Sequence, residues 1–367
     1  MSNTNTWQRQ LVLGLMPLTL GFGILAATVF VPRALNGNAD FRQFYAGGYM
    51  MRTGLHHSLY DSRLQKEIEN SVVSYSDRVL PVNHPAYEYV FYSPLSILPY
   101  KQAYAFWLTL NLLVLTYCGI HVARWINDPW LALALVAGFA PVLATLMHGQ
   151  DSLWLLLFCI LSLESTGDFT AGALLGLTAF RFHLLIPILI LYALWKKWRF
   201  IEGALLSAGS LAAISVWLVG INGSLLYLRT AISSTEVRQG FSANAYGIVQ
   251  ALVGPQHAHI AQVIAGACAI ASLWYAARQK PSLDLALLVI PFASYYLMFH
   301  DLVFLLIPLS RRIRESSAAV LQFVVPVLGF TPLAFLSSVP SALMLLSEGR
   351  RASTAPIQVP ASEGARA

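Results

Sequence analysis

The sequence predicts an all-α polytopic membrane protein, on the basis of its composition and its hydropathy pattern. Of 367 residues, 57% are hydrophobic and only 11% are charged, whereas soluble proteins typically carry about 25% charged residues. Long apolar runs repeat along almost the whole chain, which favours spanning helices over the period-2 pattern of an outer-membrane barrel. The net charge of +6 is explained by basic residues in short loops and needs no nucleic-acid partner.

The first apolar run, residues 11–31, predicts a transmembrane helix with the N-terminus inside. Its uncharged stretch exceeds the ~7–15 residues of a signal-peptide core, and no convincing cleavage site follows. Residues 33–100 are rich in Lys and Arg, but long loops translocate largely regardless of charge. The basic residues of the short loops therefore set the orientation and predict that residues 33–100 lie outside: Arg124; Lys196, Lys197 and Arg199; Arg278 and Lys280; Arg311, Arg312 and Arg314.

The first outer loop, residues 33–100, is predicted to be structured. Residues 41–51 and 64–73 show helical periodicity, which indicates short amphipathic helices lying on the membrane. Residues 87–99, Y-E-Y-V-F-Y-S-P-L-S-I-L-P, are aromatic and interrupted by proline, as suits a chain that re-enters the interface. We expect one domain at residues 1–347, followed by a disordered tail at residues 348–367.

The later apolar runs predict about 10 to 12 spans in total. Several runs are shorter than the ~20 residues of a straight spanning helix, which indicates discontinuous helices bordering a water-filled cavity. Pro326, Pro332 and Pro340 allow one kinked helix or two short ones in the last run, so the side of the C-terminus stays open. The runs are residues 104–122, 130–147, 152–163, 169–180, 184–195, 201–220, 258–277, 283–299, 302–309 and 318–346.

Three polar interruptions of these runs are sharper than the others. They are H-G-Q-D at residues 148–151, R-F-H at residues 181–183 and H-D at residues 300–301. Counting alternate spans from the first helix assigns all three to the outer side, together with Asp40 in the first outer loop. Charged groups at membrane depth are costly and usually functional. We therefore predict an active site at the outer membrane face, centred on Asp40.

Asp40 and Arg181 each have a catalytic and a structural interpretation. A carboxylate at Asp40 suits a general base that takes a proton from an attacking hydroxyl, but an Asp before F-R-Q-F-Y also suits a helix N-cap. Arg181, with His183 beside it, offers permanent charge and fork geometry for a phosphate, or it snorkels to the interface. We predict the base at Asp40 and a phosphate contact from Arg181 and His183.

The remaining candidates are predicted to contact the donor or the acceptor. His300 donates to a phosphate or sugar oxygen or is a structural histidine, and Asp301 and Asp151 suit helix caps as well as a site. Loop polarity accounts for Asn244 and Tyr246 almost as well as sugar binding does. The predicted substrate-binding residues are Tyr45, His148, Gln150, Asn244 and Asp301.

No sequence motif indicates a metal or a nucleotide, so we expect no cofactor. The nine histidines are scattered, without an H-E-x-x-H pattern, and no P-loop or Rossmann glycine pattern occurs at a strand-to-helix junction. Cys118, Cys159 and Cys268 lie in apolar runs at unrelated positions and are interpreted as core residues.

Seven segments occur in an order that points to one enzyme family. They are D-F-R-Q-F-Y-A-G-G, G-L-H-H-S-L-Y-D, V-F-Y-S-P-L-S-I-L-P-Y, H-G-Q-D-S-L-W-L-L-L, A-G-A-L-L-G-L-T-A-F-R-F-H, F-S-A-N-A-Y-G and F-H-D-L-V-F-L-L-I-P-L. Their order and spacing, over residues 11–308, resemble glycosyltransferase family 87 of the GT-C superfamily. The sequence departs from the family at residues 181–183, where Lys-Pro is common, and at residues 93–94, where Pro-Pro is common.

The resemblance implies a polyprenol-phosphate-mannose-dependent mannosyltransferase in a bacterial inner membrane, with a GT-C-type bundle. A sugar β-linked to a lipid phosphate would bind at the periplasmic side, a hydroxyl of a glycolipid or glycan would attack the anomeric carbon, and the linkage would invert. The family's base matches Asp40, and its phosphate-binding residues match Arg181 and His300. A transporter or flippase is the main alternative and a structural subunit the third; the large first loop and the lack of an obvious two-half repeat favour the enzyme.

Overall fold

The computed structural model describes residues 6–77, 80, 82–233 and 242–354, and these residues are mostly helical. The all-α membrane fold predicted from the sequence is confirmed. The helices are α1 Thr6–Leu35, α2 Phe41–Arg52, α3 Ser62–Val72, α4 Ala86–Tyr92, α5 Tyr100–Ile126, α6 Pro129–Gly138, α7 Ala140–His148, α8 Ser152–Glu164, α9 Asp168–Gly176, α10 Phe182–Leu194, α11 Trp198–Ser233, α12 Ala245–Val253, α13 Ala258–Ala277, α14 Leu283–Ala293, α15 Leu306–Arg312, α16 Ser317–Val324 and α17 Val339–Thr354.

Within the described part of the chain, five helical segments are long and apolar enough to cross a membrane by length and composition alone, or six if α6 and α7 form one span bent by 51°. One of the five, Asp168–Leu194, consists of α9, α10 and the turn between them. Their outer faces carry exposed large apolar side chains, such as Leu18, Trp217 and Val263, which suit contact with lipid tails. Four shorter apolar helices complete the bundle. The sequence prediction of 10 to 12 spans included these shorter elements, which by length and composition are not full spans.

Helices α9 and α10 form a hairpin whose turn lies at Arg181. A 3-10 segment, Leu177–Arg181, joins the two helices, and Lys197 after α10 pairs with Asp168 at the start of α9, with 3.1 Å between Nζ and Oδ2. Because both ends of the segment meet, the chain reverses direction at the polar interruption instead of continuing straight through it. This reversal carries Arg181 to the opposite end of the hairpin from the ion pair.

Another cluster of ion pairs joins the loops at one end of the bundle, which we call the basic end. Asp128, which caps α6, accepts from Arg9 Nε at 2.6 Å and lies 3.5 Å from Arg314 Nη2. Asp284 in α14 accepts from Arg311 Nη1 at 3.0 Å. These arginines flank apolar helices, as expected for basic residues at a membrane boundary.

The last apolar run breaks into pieces, as its prolines allowed. Helix α16 continues as a 3-10 segment, Val325–Phe330, and a second one, Ala334–Ser338, leads into α17. Helix α17 extends to Thr354, so its last seven residues occupy the start of the segment that the sequence predicted to be a disordered tail. Residues 355–367 lie outside the described residues.

The first outer loop differs from the sequence prediction in the position of α2. The helix is found where it was predicted, but nine of its 12 residues are buried, so it does not lie on a membrane surface. Its glycines allow this burial: a Cβ at Gly48 would lie 2.6 Å from the carbonyl carbon of Tyr92 in α4. The close approach of two backbones makes α2 part of the aromatic core of the loop.

A buried ion pair fixes α2 to α3. Arg42 Nε donates to Glu69 Oε2 at 2.8 Å, and the two side chains are only 2% and 1% exposed. The Nη2 group of Arg42 also donates to Asn70 Oδ1 and to the carbonyl of Ser74. Buried charges are retained only where such partners satisfy them, so Arg42 organises the loop that carries Asp40.

We predict that Arg42→Ala lowers the free energy of unfolding by about 3–5 kcal/mol, because it leaves the Glu69 carboxylate buried without its partner. The exposed pair Arg63–Glu67, 90% and 62% exposed, provides the control, since Arg63→Ala removes a surface pair of about 0–1 kcal/mol. Denaturant unfolding in lipid nanodiscs measures both. Equal losses for the two variants would contradict the assignment.

Candidate functional site

Asp40 stands between α1 and α2 with its carboxylate free of helix capping. Its backbone is helical (φ −63°), and its side chain makes no capping hydrogen bond to α2. Instead, Oδ2 accepts from Gln150 Nε2 at 2.7 Å and lies 3.5 Å from His148 Nδ1. The Asp40 side chain is 30% exposed and that of His148 is 39% exposed, so both can reach a ligand. The side chain of Asp40 therefore does not cap α2, which was the structural interpretation considered from the sequence.

The break between α7 and α8 brings His148 and Gln150 to Asp40. Gly149 has φ +66°, a left-handed conformation that side chains other than glycine rarely adopt. A Cβ there would also lie 2.8 Å from Cβ of Phe41, the first residue of α2. The indole Nε1 of Trp107 donates to the Gly149 carbonyl at 2.9 Å. Glycine at this position therefore lets the polar turn approach the start of α2.

Arg181 lies behind Gln150 and is buried. Its Nη2 donates to Gln150 Oε1 at 2.8 Å and to Asp151 Oδ1 at 2.5 Å, and its Nε lies 3.2 Å from Asp301 Oδ1. Because Arg181 donates to the amide oxygen of Gln150, the amide nitrogen is left to face Asp40. All three polar interruptions thus meet at one guanidinium, and the sequence had predicted that they share one side of the membrane.

Asp301 is fully enclosed at the start of the 3-10 helix Phe299–Leu305. Oδ1 accepts from Ser152 Oγ at 3.1 Å, and Oδ2 accepts from the Met298 backbone N–H at 3.2 Å. Asp301 therefore has the capping role considered from the sequence, in addition to pairing with Arg181. Burial alone would raise the pKa of Asp301, but the charge of Arg181 and the neighbouring histidines lower it to about 2.

Two predicted site histidines lie nearby with different surroundings. His300 is buried, with Nε2 3.6 Å from Asp301 Oδ1, and its backbone carbonyl accepts from Thr145. His183 is buried edge-on against Tyr296 at 5.3 Å between ring centroids, and its Nε2 has no hydrogen-bond partner. Neither ring is as accessible as that of His148.

Two predicted substrate-binding residues are not brought to Asp40. The hydroxyl of Tyr45 donates to the Leu98 carbonyl at 2.8 Å, which ties α2 to the chain before α5. Asn244 is completely buried and caps α12, where its Oδ1 accepts from the Gly247 N–H at 3.0 Å. Tyr246 accepts from Gln250 in the same helix. Loop and helix structure accounts for these three residues.

Glu88 and His84 belong to the site and were missed by sequence reasoning. Their only sequence signal was charge within an aromatic segment, H-P-A-Y-E-Y. Glu88 lies against Asp151, and burial raises its pKa to about 7 although Asp151 and Arg181 lower it. Burial likewise raises the pKa of Asp151 to about 7 against the opposing charge of Arg181. Among groups that could hold a metal, His84, Glu88 and Asp151 form a triad with ligand atoms within 4.8 Å of one another.

Two apolar cavities flank this cluster and meet at Tyr87. One of about 350 Å³ lies between α10 and α11, with Phe182 and Tyr227 in its lining. The other, of about 220 Å³, is lined by aromatic side chains including Phe91 and Trp154. The lining of each cavity includes residues that are next in sequence to Glu88 or Arg181. Apolar space therefore reaches the polar cluster.

These features define a multi-pass membrane protein whose polar site contains buried charges and a partly exposed carboxylate, Asp40. The family model of glycosyltransferase family 87 matches residues 84–308, more than half of the chain, and the protein belongs to that family. It is therefore a membrane glycosyltransferase, as the sequence resemblance predicted, and the transporter and structural alternatives are set aside. No curated protein and no solved structure gives a significant match. The matched range contains Gln150, Arg181 and His300, whereas Asp40 precedes it.

We predict that Asp301→Asn destabilises the protein in a pH-dependent manner. The pKa of Asp301 falls from its ordinary value of 3.8 to about 2 in the folded state, so its charged form contributes about 2 kcal/mol at neutral pH. That contribution is present above about pH 4 and is lost as the pH falls through about 2. Thermal unfolding at pH 7 and pH 3 should show a smaller gap between the wild type and Asp301→Asn at the lower pH.

The control for this measurement is Asp168→Asn. Asp168 is half exposed and pairs with Lys197, so its removal should change stability by no more than about 1 kcal/mol. A gap for Asp301→Asn that does not shrink on acidification would show that the carboxylate charge is not what stabilises this site.

Proposed function

We propose that this glycosyltransferase moves a sugar, mannose in our proposal, from a polyprenyl-phosphate donor to a hydroxyl acceptor with inversion at the anomeric carbon. Asp40 is the general base. The observation that carries the proposal is the state of the Asp40 carboxylate, which caps no helix, is partly exposed and is held on Oδ2 by Gln150. A base needs this combination of fixed orientation and access.

The reaction proceeds as a single displacement in this proposal. Asp40 takes the proton of the acceptor hydroxyl on Oδ1, since Oδ2 is already bonded to Gln150. The acceptor oxygen bonds to the anomeric carbon as the bond from that carbon to the phosphate oxygen breaks, and polyprenyl phosphate leaves with the electron pair. Attack opposite the leaving group inverts a β-linked donor to an α-linked product. Holding base and acceptor together removes much of the entropic barrier.

Basic side chains stabilise the phosphate that leaves. Of the residues predicted to contact the phosphate, His300 lies beside Asp301; His148, predicted from the sequence to bind substrate, is more accessible and is added to this proposal. Arg181 is surrounded by Asp151 and Asp301, so its charge acts mainly by holding Gln150 and both carboxylates. A monophosphate carries less charge than a nucleotide diphosphate, and preorganised donors can stabilise it in a site shielded from water.

The surroundings of the cluster suit a lipid-linked donor. The cavity between α10 and α11 is apolar and adjoins Tyr87 and Phe182, so a prenyl chain in it would deliver its phosphate near residues 148–151 and 181. Family membership implies a lipid-linked donor and an acceptor in general terms. We further propose a glycolipid or glycan acceptor, a bacterial inner membrane and a periplasmic site, as expected from the basic residues of the short loops.

We predict that Asp40→Asn keeps the fold and donor binding but lowers turnover by about 10²–10⁴-fold, the usual contribution of a general base. The assay is transfer from radiolabelled polyprenyl-phosphate mannose to a periplasmic lipid extract by purified protein in nanodiscs. The matched control is Asp77→Asn, an exposed carboxylate of the same loop bonded to Tyr75, which should transfer normally. Near-normal turnover by Asp40→Asn would refute the base assignment.

We predict that His300→Gln weakens donor binding by about 10- to 150-fold, because a hydrogen bond to a charged phosphate contributes roughly 1.5–3 kcal/mol. Titration with the polyprenyl-phosphate sugar in the absence of acceptor measures the dissociation constant directly. His257→Gln is the control, since His257 is exposed and bonds only to the Val253 carbonyl of its own turn. An unchanged dissociation constant for His300→Gln would remove His300 from the phosphate contact.

A further inference from the structure

His84, Glu88 and Asp151 form a compact set of potential metal ligands in the polar site, and the proposed reaction assigns no step to any of them. His84 Nδ1 lies 2.8 Å from Glu88 Oε2, and one ligand atom from each of the three residues lies within 4.8 Å of the other two. All three side chains are buried. His84 and Glu88 come from the first loop and Asp151 from the start of α8, so the cluster joins two segments that are distant in sequence.

Two oxygens of the cluster have no donor. Glu88 Oε1 and Asp151 Oδ2 are both inaccessible to solvent and lack a hydrogen-bond partner. A buried carboxylate oxygen without a partner is costly, and native structures satisfy nearly all such atoms with a donor, a water or an ion. The two unpaired oxygens belong to adjacent carboxyl groups, so one positive group between them would satisfy both.

The charges of the surrounding groups also require compensation. Asp301 joins Glu88 and Asp151 as a third buried carboxyl, and Arg181 is the cation that contacts Asp151 and Asp301. With all three ionised, the cluster carries two negative charges in excess. His84 adds a ring nitrogen, Nδ1, to this set beside Glu88.

We propose that His84, Glu88 and Asp151 bind a divalent transition-metal ion, for which Zn²⁺ and Mn²⁺ fit the mixed nitrogen and oxygen ligands. The ion would contribute the two positive charges that the cluster lacks. It fastens the first loop to α8 and so fixes Asp151, which holds Arg181. No metal motif is visible in the sequence because the third ligand, Asp151, lies far from the H-x-x-x-E pair of His84 and Glu88.

A proton shared between Glu88 and Asp151 is the competing explanation. It would join the same two oxygens and remove one of the two excess charges. The two explanations differ in what they predict for Glu88→Gln, in which an amide replaces the carboxyl. A shared proton is mimicked by the amide, whereas a metal ion loses an anionic ligand.

The test measures metal content and thermal unfolding of the purified protein in nanodiscs. The protein is incubated with Zn²⁺ or Mn²⁺, desalted, and analysed by plasma mass spectrometry. We expect about one ion per chain in the wild type, as for a dedicated site, and an unfolding temperature that rises with ion concentration. Glu88→Gln and His84→Gln should lose both effects. The control is His121→Gln, because His121 pairs with Glu164 and is not part of this cluster. This variant should still bind the ion and be stabilised by it.

Two results would overturn the proposal. The first is a wild type that retains no ion and unfolds at a temperature independent of Zn²⁺ and Mn²⁺, with Glu88→Gln as stable as the wild type, which would establish the shared proton. The second is an ion that Glu88→Gln and His84→Gln retain like the wild type. If a variant does not fold, the ion content and the unfolding temperature of the wild type are sufficient to decide. Sugar transfer is not read out, so the result is independent of the proposed function.

Discussion

The buried guanidinium of Arg181 is the group on which the site depends. Moving a charge from water into a protein interior costs several kcal/mol even after relaxation, and two carboxylates, Asp151 and Asp301, offset that cost here. Each carboxylate comes from a different break in an apolar helix, and Arg181 lies on a third. None of these breaks would be stable alone at membrane depth, since each would leave a charge unpaired. Their mutual neutralisation is what makes an interrupted bundle possible.

This arrangement separates a buried charge, that of Arg181, from a partly exposed one, that of Asp40. Arg181 is inaccessible, yet its contact with Gln150 fixes the amide that holds Asp40, and Asp40 remains partly exposed. Two Arg181 nitrogens, Nη2 and Nε, already face Asp151 and Asp301, so a phosphate at these two nitrogens would compete with both carboxylates. The phosphate contact predicted for Arg181 stays a prediction, and the His148 side chain is the more accessible of the two.

The sequence predicted the meeting of the interruptions well, because alternate spans must return to the same side and isolated charges in apolar runs need partners. It did not predict that α2 is buried, since helical periodicity reports which faces are apolar but not that Gly48 allows contact with α4. Glu88 was missed for a related reason: an acidic residue in an aromatic segment gives no sign of its partner. Asn244 failed as a ligand candidate because a capping asparagine and a sugar-binding one look alike in sequence.

The length of α8 bears on how the proposed lipid-linked donor would meet this site. Helix α8 begins beside Asp151 and ends at Glu164, which accepts from Trp125 near the basic end. Its 13 residues span about 20 Å, whereas the hydrocarbon core of a bilayer is about 30 Å thick. A helix that short does not cross the bilayer by itself, so the polar break at its start is one end of a discontinuous span. In the proposed reaction, a lipid-borne phosphate would meet a positive charge at Arg181 that Asp151 and Asp301 already compensate.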